Sequence, residues 1–272
     1  MRRDVLELRA FYASARGRAA REMVARKLSE AWGDPRGLEF LGLGYATPYL
    51  EAVRERARRT IAMMPASQGV EVWPAVGRNL ACLAPETALP LPNAMFDRVI
   101  CVHALEEAED AVAMMQEVCR VLSPTGRVFV AVAARNGLWS NAEGTPFGHG
   151  RPWSRSQLEA VLREADLEPS GWTRALYAPP FAWTARWAEG FEQVGAWLWP
   201  PFAGVILMEA VKQTFAVKPR ASRARVRVFA PGVLAPAPHA PAGRAPAGRA
   251  PAGKAPDAAM RQAPLASEPV SP

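Results

Sequence analysis

Apolar and polar positions in the first part of the chain follow a helical period. Between Asp4 and Trp32 the residues Leu6, Phe11, Tyr12, Ala20, Val24, Leu28 and Trp32 stand among charged ones, the last four at every fourth position. That spacing predicts a helix over 4–32 with one apolar face. Gly33-Asp34-Pro35 ends it, since Gly suits a helix C-terminus and Pro cannot continue one. A short apolar run, Leu38, Phe40 and Leu41, then reads as a buried strand flanked by Gly37 and Gly42. Gly42 and Gly44 let the backbone turn sharply and approach a ligand, because neither carries a Cβ. Thr47 and Pro48 read as the N-cap and first residue of a helix reaching Arg59, with Leu50, Val53 and Ala57 on one face.

Beyond this point strands and helices alternate. Ile61 to Pro65 is a second strand, Asn79 to Leu83 a third, and Phe96 to Val102 a fourth whose unbroken apolar run suits burial on both faces. Leu105 to Leu122 has helical spacing at Val112, Met115, Val118 and Leu122, and Ser123-Pro124-Thr125-Gly126 stops it. Arg127 to Ala133 is a fifth strand, Leu167 to Tyr177 contains a sixth, and Val205 to Met208 is strand-like. A helix starts at Ser154 with Leu158, Val161, Leu162 and Ala165. The alternation predicts an α/β fold with a parallel sheet covered on both faces. Residues 134–152 are long for a structural connection and form a candidate substrate loop. Phe181 to Leu198 is an aromatic helix in which Trp183, Trp187, Phe191, Val194 and Leu198 share a face. It is expected to pack on the sheet or the N-terminal helix, or to serve as a homodimer surface, a wall for an apolar substrate or a shallow membrane contact.

Composition narrows the classes. Half of the 272 residues are hydrophobic, ample for a core. The net charge of +7 suggests an anionic partner until it is divided by region. Residues 1–217 hold 24 Lys plus Arg against 24 Asp plus Glu, whereas 218–272 hold 9 against 2. The neutral folded part argues against specific nucleic-acid binding. Residues 218–272 also contain 11 of the 26 prolines and repeat Ala-Pro-Ala-Gly-Arg at 240–244 and 245–249, which predicts a disordered, solvated tail. The domain is therefore expected to span 1–217, with a cap helix at 4–32, a core at 37–135 and a substrate loop and C-terminal part at 136–217. Cys82, Cys101 and Cys119 have neither zinc-site spacing nor an even count and are expected to be buried reduced thiols. With no apolar run long enough to span a bilayer and no apolar core at its start, the chain is expected to be cytoplasmic.

Three landmarks in order resemble a class I S-adenosylmethionine-dependent methyltransferase, in the branch related to ubiquinone and menaquinone biosynthesis enzymes. Leu41-Gly42-Leu43-Gly44-Tyr45-Ala46 is similar to that family's first motif, and Leu89-Pro90-Leu91-Pro92-Asn93-Ala94-Met95-Phe96-Asp97-Arg98-Val99 to its loop into strand four. Arg120-Val121-Leu122-Ser123-Pro124-Thr125-Gly126-Arg127 is similar to its approach to strand five. Between them, Val102-His103-Ala104-Leu105-Glu106 and Asp110 match a further family segment. The resemblance covers residues 38–135 and implies a Rossmann-like, mostly parallel seven-stranded sheet with S-adenosyl-L-methionine as cofactor. It implies Gly42, Leu43, Gly44 and Tyr45 at the cofactor's amino-acid end and His103 beside it.

The chain also departs from the family pattern. Phe40 stands where an acid usually precedes the first glycine, and Met64-Pro65-Ala66-Ser67-Gln68 holds no carboxylate for the ribose. Ser67 and Gln68 are the neutral substitutes there, and Glu86 lies beside the position that usually faces adenine. For catalysis a base is needed only where the nucleophile must lose a proton, and His103 and His149 are the candidates. Each has a structural alternative, His103 as a helix cap and His149 as a loop anchor. His149, Arg151 and Trp153 are the candidate substrate contacts, Arg151 for an anionic group. The leading reading is a methyltransferase of small molecules; the second is a catalytically inactive methyltransferase-like binding or regulatory protein, motivated by the missing ribose acid. A nicotinamide-dependent oxidoreductase is disfavoured, because Thr47 falls where its third glycine belongs.

Overall fold

Seven strands, β1 (Glu39–Gly44), β2 (Arg59–Met64), β3 (Ala81–Leu83), β4 (Phe96–Val102), β5 (Leu122–Ala133), β6 (Leu167–Ala175) and β7 (Val205–Lys212), form one sheet in the order β3-β2-β1-β4-β5-β7-β6. The structure is a computed structural model and describes residues 3–180 and 203–213. Neighbouring strands from β3 to β5 are parallel, while β7 is inserted antiparallel between β5 and β6. The expected mostly parallel seven-stranded sheet is thus present. The aromatic helix over 181–198 and the tail from 218 fall outside the described residues.

Alternation along the central strands divides the core in two. Phe40 of β1, Ile100 and Val102 of β4 and Phe129 of β5 point to one face, where they meet α1 (Val5–Ala13), α2 (Ala15–Trp32) and α3 (Thr47–Leu50). Leu41 and Leu43, Val99 and Cys101, and Val128 and Val130 point to the other, against α4 (Ala111–Val121) and α5 (Arg155–Glu164). Apolar residues on both sides of β4 are what a strand covered by helices on both faces requires. Burying one such Leu or Val side chain contributes about 1.5–3 kcal/mol.

The structure corrects several local expectations. The N-terminal segment is two helices, not one: Ser14 is extended and its side chain accepts from the Gly17 amide, capping α2. The Thr47 hydroxyl does not cap α3. It donates to Glu71 Oε1 at 3.0 Å, and Ala46 occupies the cap position with no side-chain bond. The helix expected to reach Arg59 is regular only to Leu50, because an Arg36–Ala57 bridge and the Arg58 amide bonded to Leu38 O draw the chain into β2. The segment 105–122 is a 3-10 turn over Leu105–Glu107 followed by α4, with Asp110 capping α4 through the Ala113 amide. Cys101 and Cys119 are buried free thiols as expected, but Cys82 is exposed because β3 is the sheet edge. No described helix is long and apolar enough to cross a membrane.

Candidate active site at the ends of strands β1 and β4

In an open α/β sheet the ligand crevice lies at the carboxyl ends of the strands where the order reverses. Here that point is between β1 and β4. Gly44 ends β1 with φ of 80°, and a Cβ there would overlap the Val102 carbonyl oxygen. Its lack of a side chain lets Tyr45 N donate to Val102 O at 2.8 Å, so the turn after β1 is seated directly on the end of β4. Gly42 serves packing instead, since a Cβ would collide with Leu50 and Ala46.

Five aromatic side chains, Tyr12, Tyr45, Tyr49, His103 and Phe147, converge above this seam. Tyr12 of α1 stacks on Tyr45 with ring centroids 5.6 Å apart. Its hydroxyl is hydrogen-bonded to the Tyr49 hydroxyl at 3.0 Å and to His103 Nε2 at 2.8 Å. His103, held at φ of 50° just past β4, also lies 4.7 Å from the Phe147 ring. Burial, with the Arg3 cation as a lesser cause, pushes the His103 imidazole down to about 3. Burial pushes the Tyr12, Tyr45 and Tyr49 phenols up. The cluster is therefore uncharged at neutral pH.

A second group adjoins it. The Glu106 side chain is 6% exposed, Oε1 accepts from the Ala133 amide at 3.0 Å, and Oε2 has no partner. Burial raises its carboxyl to about 7. Gln68, just after β2, is 1% exposed and neither amide atom is bonded. Its backbone oxygen accepts from Val5 N at 2.8 Å, which ties α1 to the end of β2. His149 Nε2 contacts Glu143 O at 2.7 Å and also the Arg3 guanidinium. Gln68, His103, Glu106 and His149, with Arg3 and Leu8, surround a cavity of about 10 Å³, on the scale of one water.

The structure thus brings Gly44, Tyr45, Gln68, His103 and His149 to one crevice, with Leu43 buried beneath it in the core of the other face. Other candidates lie apart. Ser67 is exposed and Glu86 sits on the loop after β3. Arg151 lies with its guanidinium 5.0 Å over the Trp153 ring, and Trp153 is 1% exposed among the core residues of the α4 and α5 face. The segment they belong to is anchored to Glu106: Arg151 N donates to Glu106 O at 2.6 Å, and a Cβ at Gly150 would meet the same oxygen at 2.6 Å.

Sequence reasoning did not single out Tyr12, Tyr49, Arg3 or Glu71. Glu71 matters most, because no carboxylate was expected near the end of β2. It arrives from the connection to β3 and accepts from Thr47 beside Tyr45, whose phenol it also helps to raise. No periodicity marks Glu71; only the path of the chain places it. Glu106 was visible as part of a resembling segment, but its burial was not.

Comparison with known proteins agrees with this geometry. Residues 36–130 match the family model of a methyltransferase domain. No curated protein sequence matches it. Among solved structures, a S-adenosylmethionine-dependent methyltransferase from Thermotoga maritima superposes with a TM-score of 0.53 at 16% identity, covering 77% of this chain and 96% of that one. One from Aquifex aeolicus gives 0.52 at 13% identity over 76% and 98%. A chain in the complex of the Haloferax volcanii Trm112 methyltransferase activator with a methyltransferase gives 0.52 at 16% over 77% and 99%. At such identities these likenesses concern the fold.

The cofactor that the matched methyltransferase domain implies is S-adenosylmethionine, and the residues present fit it in chemistry. The unpartnered Gln68 amide and the Glu71 carboxylate are donors and acceptors suited to ribose hydroxyls. Tyr12 lies over the glycine turn, stacked on Tyr45 and bonded to His103, and the neighbouring cavity beside Gln68 and Glu106 has room for about one water.

Proposed function

We propose that the protein transfers the methyl group of S-adenosylmethionine to a small molecule. The observation that carries this reading is the crevice at the β1–β4 reversal, where a glycine turn and a cluster of buried polar side chains meet in a methyltransferase domain. The cofactor supplies an activated methyl group on a sulfonium. The chain would do the rest: bind, orient and exclude water. The turn Leu43-Gly44-Tyr45 would hold the amino-acid end, and Gln68 and Glu71 the ribose. His103, Glu106 and His149 would face the substrate. Since His103 is held neutral and already bonded to Tyr12, the free oxygen of Glu106 is the better placed proton acceptor when a nucleophile must be deprotonated.

One observation favours a second reading, a methyltransferase-like protein without catalysis that acts as a binding or regulatory partner. Tyr12 occupies the place where a ligand would lie. Calorimetric titration of the full chain with S-adenosylmethionine and S-adenosylhomocysteine decides between them. Binding at micromolar concentration is expected, and its absence at millimolar cofactor leaves the second reading.

A further inference from the structure

The N-terminal helix and the crevice are in conflict over one volume, and the details of that conflict point to a moving part. α1 is a separate nine-residue helix, set off from α2 by the extended Ser14. Gly17 lets the two helices fold against each other, since a Cβ there would overlap the Phe11 carbonyl. One face of α1, formed by Val5, Leu8, Phe11 and Tyr12, is buried.

That face packs in the core, with Phe11 against Phe147 and Tyr12 against Tyr45, Tyr49 and His103, and polar bonds fasten it at both ends. At the near end Arg3 N donates to the Glu107 carboxylate at 3.0 Å, and Arg3 Nη2 donates to Glu143 O at 2.8 Å. The same guanidinium meets the His149 ring. Val5 N donates to Gln68 O, and at the far end Tyr12 bridges Tyr49 and His103. The residues α1 touches are the ones a bound cofactor or substrate would need: Gln68 after β2, Tyr45 after β1, and His103 after β4.

Beneath α1, both amide atoms of Gln68 and the Oε2 of Glu106 are buried without partners. Unpaired buried polar atoms cost free energy that is recovered only when something bonds to them. Closure of α1 over the crevice therefore leaves polar groups unsatisfied that an entering polar ligand would satisfy.

We propose that α1 is a plug that occupies the cofactor crevice with Tyr12 and must swing out about Ser14 before the cofactor enters. The proposal rests on the reading of this crevice as the cofactor site. While the plug is in place, Tyr12 masks the imidazole of His103. Apparent affinity for the cofactor is then the intrinsic affinity reduced by the fraction of molecules with α1 out. Changes that loosen α1 without touching the crevice floor should strengthen binding, the opposite of what loss of a cofactor contact does.

The test uses the full chain, with S-adenosylhomocysteine as probe and hydrogen–deuterium exchange over residues 5–13 as a readout that does not depend on binding. Tyr12→Phe keeps the ring and removes both hydroxyl bonds, and Arg3→Ala removes the guanidinium bonds to Glu143 O and His149 at the helix start. In the unliganded wild type, α1 amides should exchange as a block and faster than those of β1 and β4. Tyr12→Phe should tighten apparent binding by about 5-fold to 30-fold, the equivalent of one to two net hydrogen bonds. Arg3→Ala should tighten it by about 3-fold or more. Saturating probe should speed exchange over 5–13 while slowing it over 43–46. Binding that leaves α1 protection unchanged or raised, with both variants at wild-type affinity, overturns the proposal. If no form binds the probe, the cofactor reading falls, and the plug is judged by exchange alone: α1 amides as slow as those of β1 and β4 overturn it, and block opening accelerated in Tyr12→Phe sustains it.

Discussion

Glu106 Oε1 accepts from the Ala133 amide at 3.0 Å, joining the turn after β4 to the end of β5, while its second oxygen is buried without a partner. Burial raises this carboxyl from 4.5 to about 7. A raised acid contributes stability that is fully present below the unfolded value and is lost as pH rises through the folded one. Between pH 5 and pH 8 the wild type should therefore lose about 2–3 kcal/mol relative to Glu106→Gln, which has no proton to release. Urea unfolding at the two pH values measures the difference, and parallel pH profiles for the two proteins would show that Glu106 is ionised in the fold.

Gly44 and Gly37 separate two glycine effects. Both have positive φ, 80° and 76°, but only at Gly44 would a Cβ meet other atoms, the Val102 oxygen and Ala104. Gly37→Ala should cost about 1 kcal/mol, from backbone strain alone. Gly44→Ala should cost about 3 kcal/mol or more, because it also forces the β1 turn away from β4. Equal shifts in the denaturation midpoint would mean that the seam between β1 and β4 is looser than drawn.

Arg127 and Glu209 form an ion pair at 2.8 Å between β5 and β7, with the carboxylate side chain 1% exposed. Burial raises the Glu209 carboxyl, and Arg127 and then Arg98 act against it. Arg127→Met leaves that carboxyl buried without its main partner and should cost about 3–5 kcal/mol. Adding Glu209→Leu should recover most of the loss, since an apolar pair avoids the desolvation of two charges. A double variant as unstable as the single would show that the pair does more than offset its own burial.

Glu71 provides the functional counterpart. It lies half-buried beside the glycine turn and accepts from Thr47 at 3.0 Å. If it takes ribose hydroxyls, Glu71→Gln should weaken S-adenosylhomocysteine binding by about 10-fold to 100-fold, the value of a charge-assisted hydrogen bond or two, with stability changed by less than about 1 kcal/mol. Calorimetry and thermal unfolding on the same preparation separate the two effects. Unchanged affinity would remove Glu71 from the site.

Much of the fold was legible in the chain. The apolar run Phe96 to Val102 is β4 residue for residue, and the capping box at Ser154 and Gln157 opens α5 where the pattern placed a helix. Such features are written locally, in periods of two and 3.6 residues and in the side chains that satisfy end groups. The break at Ser14 was not legible, because the apolar positions of α1 and α2 continue on one face across it. The early end of α3 was not legible either, since a distant bridge between Arg36 and Ala57 causes it.

By itself the sequence determined the order of strands and helices along the chain, the turn at Gly44 and the identity of His103 as the residue that follows β4. Those follow from local periodicity and from residue types that only certain backbone conformations accept. Tertiary structure decided which side chains meet at the reversal between β1 and β4. It carried Glu71 back from a connecting loop, buried Glu106 with one oxygen unbonded and laid Tyr12 across the crevice, although Tyr12 and His103 are 91 positions apart in the chain. The reason is physical: burial and hydrogen bonding across such separations depend on how packed elements share space, which no local pattern encodes.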